Sequence, residues 1–326
     1  MNSHPKTAFI TGINGQDGAY LANFLLKKNY QVHGLVLPDT TLDNLNYFGI
    51  EKQISLHTGD IRAEQKLKGL LGEIKPQEIY NLAAHSFVGD SWENVKPINE
   101  INYFGVINIL EAIRATDLKI RFLQASTSEM FGTSNNAGLQ TEETPFHPRS
   151  PYAISKLAAY EIANNYRDSY NLFCCNAICF NHESPLRTPN FVTRKITLGA
   201  TRIKMGLDQF IELGDLDSVR DWGFAGDYVE AMYLMLQQEK PDNYIISTGV
   251  NHTIKDVLDI AFARVGIKDW TDRVRINPRF HRPLELKRLV GSNAKAKKIL
   301  GWQPRVDFQQ LIEQMVDADL KRSNPL

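Results

Sequence analysis

The stretch Thr11-Gly12-Ile13-Asn14-Gly15-Gln16-Asp17-Gly18 constrains this chain more than any other. It follows the apolar run Ala8-Phe9-Ile10 and opens a segment with Tyr20, Leu21, Phe24 and Leu25 on one side. That order predicts a strand, a glycine turn and an amphipathic helix. Gly12 permits a tight turn, Gly15 lets the backbone approach a pyrophosphate, and Gly18 lets the helix sit close to the sheet. The N–H groups that start the helix would face such an anion. The spacing is G-x-x-G-x-x-G, not the G-x-G-x-x-G of simpler dinucleotide folds. By itself it also fits a glycine turn that holds no ligand.

A chain of 326 residues has room for one large domain or two unequal lobes. Its 37 basic and 37 acidic residues cancel, so nothing global favours a nucleic-acid backbone or an anionic membrane, although a local basic pocket is compatible. Every apolar run is short, which predicts neither a membrane span nor a signal peptide. Cys174, Cys175 and Cys179 share one apolar run and read as buried thiols of a reducing compartment. A strand would point Cys174 and Cys175 to opposite faces, which argues against a metal site. The expectation is a cytoplasmic protein without a metal.

Strand and helix patterns then alternate. Residues 31–37 read as a second strand, broken by Pro38-Asp39-Thr40-Thr41. Such a strand ends near the adenosine ribose, which makes Asp39 a candidate contact, and no arginine follows within the turn to meet a 2′-phosphate. Ile54-Ser55-Leu56-His57 reads as a third strand, followed by Gly59-Asp60-Ile61. Asp60 would lie near the adenine ring, or cap the helix through Leu67, Leu70 and Leu71. Residues 78–84 form a fourth strand and its exit, whose small residues let a flat cofactor lie close. A helix is expected around 101–114, and a fifth strand over 120–126 runs into Thr127-Ser128-Glu129. Polar groups just past the carboxyl end of a parallel strand stand where such sheets place ligands. Ser150-Pro151 starts a long helix to about residue 170, and residues 172–180 form a sixth strand.

Beyond residue 180 the alternation breaks. A turn-rich stretch carries Arg187, Arg194, Arg202 and Arg220 and reads as the start of a smaller lobe. A strand is expected at 245–248, a capped helix at 253–265 and a final amphipathic helix at 307–320. The alternation predicts an α/β fold: a Rossmann-type parallel sheet flanked by helices, with a smaller C-terminal α/β substrate-binding lobe. Residues 1–180 would mainly bind the dinucleotide. Residues 181–326 would mainly bind the substrate, with a segment near 220–250 returning to the sheet.

Tyr152 and Lys156 stand four apart on the long helix and so share a face. An ammonium beside a phenol favours the phenolate, so the tyrosine pKa of about 10 would fall toward the working pH. Such a tyrosine takes a proton from a sugar hydroxyl while hydride leaves the same carbon. His182 and Glu183 lack partners for a hydrolytic or metal site and are expected to serve packing or loop hydrogen bonding. His85 and Trp92 would flank the sugar side, and Arg149 would pair with a local acid.

With these pieces in order, the chain resembles the extended short-chain dehydrogenase/reductase family, and within it the nucleotide-sugar 4,6-dehydratases that act on GDP-mannose. The resemblance rests on residues 11–18 with Tyr20-Leu21, Tyr80-Asn81-Leu82-Ala83-Ala84, residues 124–129, and Arg149-Ser150-Pro151-Tyr152-Ala153 with Lys156. It continues through residues 180–185, residues 191–196, Arg220-Asp221-Trp222-Gly223, Asp227-Tyr228-Val229, and Arg282-Pro283 with Glu285.

The resemblance implies these roles. Tyr152 is the base at the C4 hydroxyl, and Lys156 holds the cofactor ribose. Thr127 hydrogen-bonds the C4 oxygen. Glu129 removes the C5 proton and helps the C6 hydroxyl leave, with Ser128 assisting. Asn181, Arg220 and Arg282 face the substrate diphosphate, Lys195 and Glu285 the nucleoside, Val192 its pocket and Ser86 the hexose. Gly12, Gly15 and Gly18, with Gln16 and Asp17, embrace the cofactor pyrophosphate. Asp60, Ile61, Leu82, Ala83 and Ala84 flank the adenosine side. A reductase or 4-epimerase on the same scaffold needs Tyr152 and Lys156 but no base at C5, so Glu129 discriminates between them.

Two departures refine this reading. Relatives carry a basic pair after the second strand that suits NADP and tetramer formation, whereas this chain has Val36-Leu37-Pro38-Asp39-Thr40. The chain is also compact between residues 276 and 282. NAD is therefore expected over NADP, and a homodimer over a tetramer. Phe87-Val88-Gly89-Asp90-Ser91-Trp92 departs near the hexose, which leaves another GDP-sugar as an alternative substrate.

Overall fold

A computed structural model describes residues 5–132, 138–280, 284 and 286–323. Seven parallel strands form the central sheet: β1 (Thr7–Thr11), β2 (Gln31–Val36), β3 (Ser55–Thr58), β4 (Glu78–Asn81), β5 (Arg121–Thr127), β6 (Phe173–Cys179) and β7 (Asn243–Ile246). Their spatial order is β7-β6-β5-β4-β1-β2-β3. The order reverses between β1 and β4, which opens a crevice beyond their carboxyl ends. The edge strand β3 is polar and partly exposed, whereas the central strands β1, β4, β5 and β6 are buried on both faces because helices cover both. Cys174 and Cys175 show this directly, since they are buried in the cores on opposite faces of β6. All three cysteines are free.

One face carries α1 (Gln16–Lys27) and α6 (Ala225–Leu236), together with the short helix Ala294–Leu300. The other carries α2 (Glu64–Ile74), α3 (Gly105–Thr116) and α4 (Pro151–Tyr170). A third core joins α5 (Val192–Lys204), α7 (Ile254–Arg264) and α8 (Phe308–Ser323). Around it, short strands pair Asn181–Glu183 with Trp222–Phe224, and Ile211–Leu213 with Val274–Ile276. Val219–Arg220 pairs with both His252–Thr253 and Arg288–Leu289.

Local chemistry explains the boundaries. Ser150 caps α4 by accepting a hydrogen bond from Ala153 N at 3.1 Å, with Pro151 in the first turn. Thr253 and Asp256 close a reciprocal capping box at the start of α7. The helix expected around 101–114 is built differently: Val95–Asn99 runs through a π-helical turn, Glu100–Phe104, into α3. The strand expected at 245–248 stops at Ile246. Asp221 accepts hydrogen bonds there from Thr248 N and Oγ1 and from Gly249 N, which bends the chain away. Arg149, expected to pair with an acid, has its guanidinium 3.4 Å from His147 Nε2.

Among the described residues, no helix is long and apolar enough to cross a membrane. No group of three potential metal ligands occurs among them either.

Candidate active site

The crevice is a cleft of about 1110 Å³, walled by the glycine turn, the exits of β4, β5 and β6, and the third core. Three glycines shape its floor. Gly12 has φ +67°, and a Cβ there would sit 2.8 Å from Ala83 N. The first turn is thus pressed against the exit of β4. A Cβ on Gly18 would stand 2.4 Å from Gly12 O, so the start of α1 nests on the turn. A Cβ on Gly15 would meet only Gly12 O, at 3.2 Å, and would otherwise fill the cleft itself. Such a cradle, at a helix start whose first N–H groups have no helical partner, fits the diphosphate of a dinucleotide.

Thr11 locks this region from below. Its hydroxyl donates to Asn81 Oδ1 and accepts from Ala83 N at 3.2 Å, while Asn81 donates on to Gln124 at 2.7 Å. The chain of bonds holds β1, β4 and β5 in one register at their functional ends.

The structure brings most of the expected site residues into this cleft. Gln16, Asp17, Asp60, Ile61, Leu82, Ala83, Ala84 and Ser86 all line it. Asp60 is no helix cap, because α2 begins at Glu64 after Ala63. Its carboxylate instead receives the Arg62 guanidinium at 2.7–3.1 Å. Asp39 is placed elsewhere. It is exposed in a left-handed turn with φ +55° and is not part of the cleft wall, where Leu37 stands instead.

Thr127, Glu129, Tyr152 and Lys156 line the cleft together at the junction of β5 and α4. Thr127 ends β5, and its hydroxyl accepts from Glu129 N at 3.2 Å, which starts the tight turn that presents the Glu129 carboxylate. Ser128 is buried in that turn, at 1% exposure, and does not line the cleft. Lys156 Nζ donates to Ala125 O at 2.6 Å. Burial pushes its ammonium down to about 8, opposed by the charge of Asp17.

The phenol of Tyr152 moves against the sequence-based expectation. Burial pushes its pKa up, a hydrogen bond from Thr127 opposes the rise, and the Glu129 charge adds to it. Desolvation therefore outweighs the neighbouring lysine, whose ammonium is turned toward the Ala125 carbonyl.

On the far wall, Asn181, Val192, Lys195 and Arg220 line the cleft. Val192 and Lys195 occupy the first turn of α5, with Lys195 Nζ 3.4 Å above the Phe280 ring. Burial holds the Lys195 ammonium below its ordinary range. Arg282 and Glu285 lie outside the described residues. His85 lines the cleft and its ring contacts Asp90 at 2.9 Å, whereas Trp92 is not part of the wall.

Three features escaped the sequence reading. Arg187 lies 3.4 Å over the Phe191 ring and 3.1 Å from Glu183, and Phe191 packs edge-on against Phe87. Only the arginine-rich composition of that stretch hinted at it. Asn102, in the π-helical turn, brackets the β4 exit through His85 N and O and donates to Ser155 Oγ at 3.1 Å. A buried asparagine in an otherwise apolar helix was the available signal. His182 reaches back to Asp17 at 2.8 Å, a contact across the chain that no local pattern encodes.

Comparison with known proteins agrees with this geometry. A family model described as GDP-mannose 4,6 dehydratase matches residues 9–315. GDP-mannose 4,6 dehydratase 1 of Arabidopsis thaliana is 48% identical, covering 97% of this chain and 90% of the relative. A GDP-mannose 4,6-dehydratase of Vibrio cholerae is 40% identical, covering 98% and 94%. Among solved structures, a dTDP-glucose 4,6-dehydratase from Streptomyces venezuelae with NAD bound superposes with a TM-score of 0.86 at 26% identity, covering 98% of this chain and 97% of that one. A match running unbroken through both walls of the cleft, joined to near full-length relatives, places this chain in the GDP-mannose 4,6-dehydratase family.

Proposed function

We propose that this chain dehydrates GDP-mannose to its 4-keto-6-deoxy product, using a nicotinamide dinucleotide that ends as it began. The observation that carries the reading is the convergence of Thr127, Glu129, Tyr152 and Lys156 on one cleft wall beside the glycine turn. Thr127 holds the C4 oxygen. Tyr152 acts as the phenolate, which the positive charge of a bound oxidised nicotinamide would favour against the burial that raises its pKa. It receives the C4 hydroxyl proton as C4 gives up hydride and becomes a ketone. A nicotinamide dinucleotide, held by the glycine turn and Lys156, would supply the acceptor for that hydride and the source of its return to C6. The ketone acidifies C5–H, and Glu129 takes that proton. The Glu129 carboxyl then protonates the C6 oxygen, which leaves as water across the new C5–C6 double bond. Hydride returned to C6 and a proton at C5 complete the product. That C5 proton replaces, through solvent exchange, the one Tyr152 took from the C4 hydroxyl, which leaves Tyr152 and Glu129 as they began.

Lys156 and the glycine turn hold the dinucleotide, with Gln16 and Asp17 at the diphosphate and Asp60, Ile61, Leu82, Ala83 and Ala84 on the adenosine side. Asn181 and Arg220, with Arg282, face the substrate diphosphate. Val192, Lys195 and Glu285 serve the nucleoside, and Ser86 the hexose.

NAD is the preferred cofactor. An apolar Leu37 forms the wall after β2, and Arg62 is already forked onto Asp60, so the adenosine edge presents no ready partner for a 2′-phosphate. The protein assembles as a homodimer in the cytoplasm. Ile154, Ala158 and Ile162 share one face of α4, beside a groove lined by Tyr103. Phe104 and Ile154 are each 54% exposed. Incubation of the protein and NAD with GDP-mannose, read by mass for loss of one water, tests the activity. Unchanged substrate mass with net oxidation or reduction of the cofactor would overturn it. Parallel titration with NAD and NADP tests the preference, and tighter NADP binding would reverse it. A stable tetramer in light scattering would refute the dimer.

A further inference from the structure

The dinucleotide-binding end of α1 carries a contradiction. Asp17 stands in its first turn and lines the cleft. A carboxylate there competes with a bound diphosphate for the same helix terminus and repels it. The structure resolves the conflict across 165 residues of sequence, since His182 Nε2 lies 2.8 Å from Asp17 Oδ2.

The other side of the ring fixes its protonation. His182 Nδ1 lies 2.8 Å from the backbone oxygen of Phe180. A carbonyl and a carboxylate can only accept, so both ring nitrogens must donate, and only the imidazolium does so. Gln16 braces the pair by donating to both Asp17 Oδ1 and His182 O, and Ser184 donates to Gln16 at 2.7 Å. Tyr228 stacks on the imidazole with ring centroids 4.7 Å apart. The remaining charged and titratable groups around the pair are Arg187, which acts on both members, and Lys156 and Cys179, which feel Asp17. Burial disfavours charge on both members, yet their mutual attraction wins, holding Asp17 down and His182 up.

We propose that His182 is a positioning residue for the dinucleotide: as a half-buried cation it neutralises and fixes Asp17, so that the N-terminus of α1 can accept a diphosphate. This role rests on the dinucleotide-dependent function proposed above. It makes the segment after β6, whose His182 itself lines the cleft, part of the cofactor site through electrostatics.

The test is equilibrium binding of NAD and NADP, with no sugar nucleotide present. His182→Phe keeps an aromatic ring against Tyr228 but leaves Asp17 unpaired. Its dinucleotide affinity should fall about tenfold, the scale of one charge-assisted hydrogen bond. Adding Asp17→Asn to that variant should restore most of the loss, which a purely packing role for His182 would not predict. Nitrogen NMR of the wild type near neutral pH gives a readout that needs no variant to fold, and both His182 ring nitrogens should be protonated. A neutral His182, unchanged binding in His182→Phe, or a double variant as weak as the single one would each overturn the role. Wild-type protein that binds neither dinucleotide would defeat the proposed function as well, so the two failures are distinguishable.

Discussion

The Lys156 ammonium donates to the carbonyl oxygen of Ala125 across 2.6 Å, tying α4 to the tail of β5. Burial sets this amine near 8, against 10.5 for an ordinary lysine. Between these values Lys156 holds a proton in the unfolded chain but not in the folded one, so its contribution to stability rises with pH across that window. The cost of burying the charge is present in full below it. The buried thiols of Cys174, Cys175 and Cys179 are raised and act in the opposite sense, so the lysine is read as a difference. The stability of the wild type relative to Lys156→Met should rise by on the order of 3 kcal/mol across the window. Urea denaturation of both proteins across the window checks this, and parallel pH profiles for the two would contradict it.

Glu129→Gln keeps the side-chain volume and the turn after β5 but removes the carboxylate proposed as the base at C5. Dehydration should fall by about 10³-fold, within the range of general acid–base contributions, while dinucleotide affinity stays unchanged. Mass detection of water loss, run beside a cofactor titration, separates the two effects. Near-normal turnover would assign the C5 proton to another group.

Gly18→Ala places a methyl 2.4 Å from Gly12 O and 2.5 Å from Ile13 Cα, and both are backbone atoms. The turn must open, at a cost of about 3 kcal/mol, with dinucleotide binding lost in step. Thermal unfolding with and without NAD measures both. Gly72→Ala, with nothing within 4 Å of the added atom, is the matched control.

Asp319 and Arg194 form a buried ion pair that joins α8 to α5, with Thr197 donating to the same carboxylate at 3.0 Å. Asp319→Ala strands a guanidinium that is 7% exposed and should cost about 3–5 kcal/mol. Arg194→Met combined with Asp319→Leu removes both charges and should recover most of that loss. Chemical denaturation of the single and double variants decides the matter.

Ile154→Glu puts a charge on the exposed face of α4 beside the Tyr103 groove. It should convert the proposed dimer to monomers without disturbing the cleft, as read by light scattering, and an unchanged mass would place the interface elsewhere.

The strand and helix alternation was legible because the periods of both elements are local and the glycine turn announces their junction. The convergence of Thr127, Glu129, Tyr152 and Lys156 could be anticipated for a related reason. A residue at the end of a parallel strand and a residue one turn into the next helix must share the same rim. Asp39 was read as a ribose contact because strand period gives no handedness for the turn that follows, and a left-handed residue after Pro38 faces outward. The Tyr152 phenol was expected to acidify from its neighbour in sequence, but burial is a property of the assembled fold and it dominates. The Asp17–His182 pair and the Asn102 bracket depend on tertiary approach, which spacing alone does not carry.

The chain does not visit its regions in turn. After leaving the main sheet at β6 it returns to supply β7 and α6, and again for Ala294–Leu300, before ending in α8. Severing it near residue 180 would strip the edge strand β7 from the N-terminal fragment, leave its partner β6 unpaired on that edge, and isolate β7 in the other fragment. Neither piece should fold in isolation. Transplanting the sugar-recognition wall between relatives would therefore require exchanging several interleaved segments together.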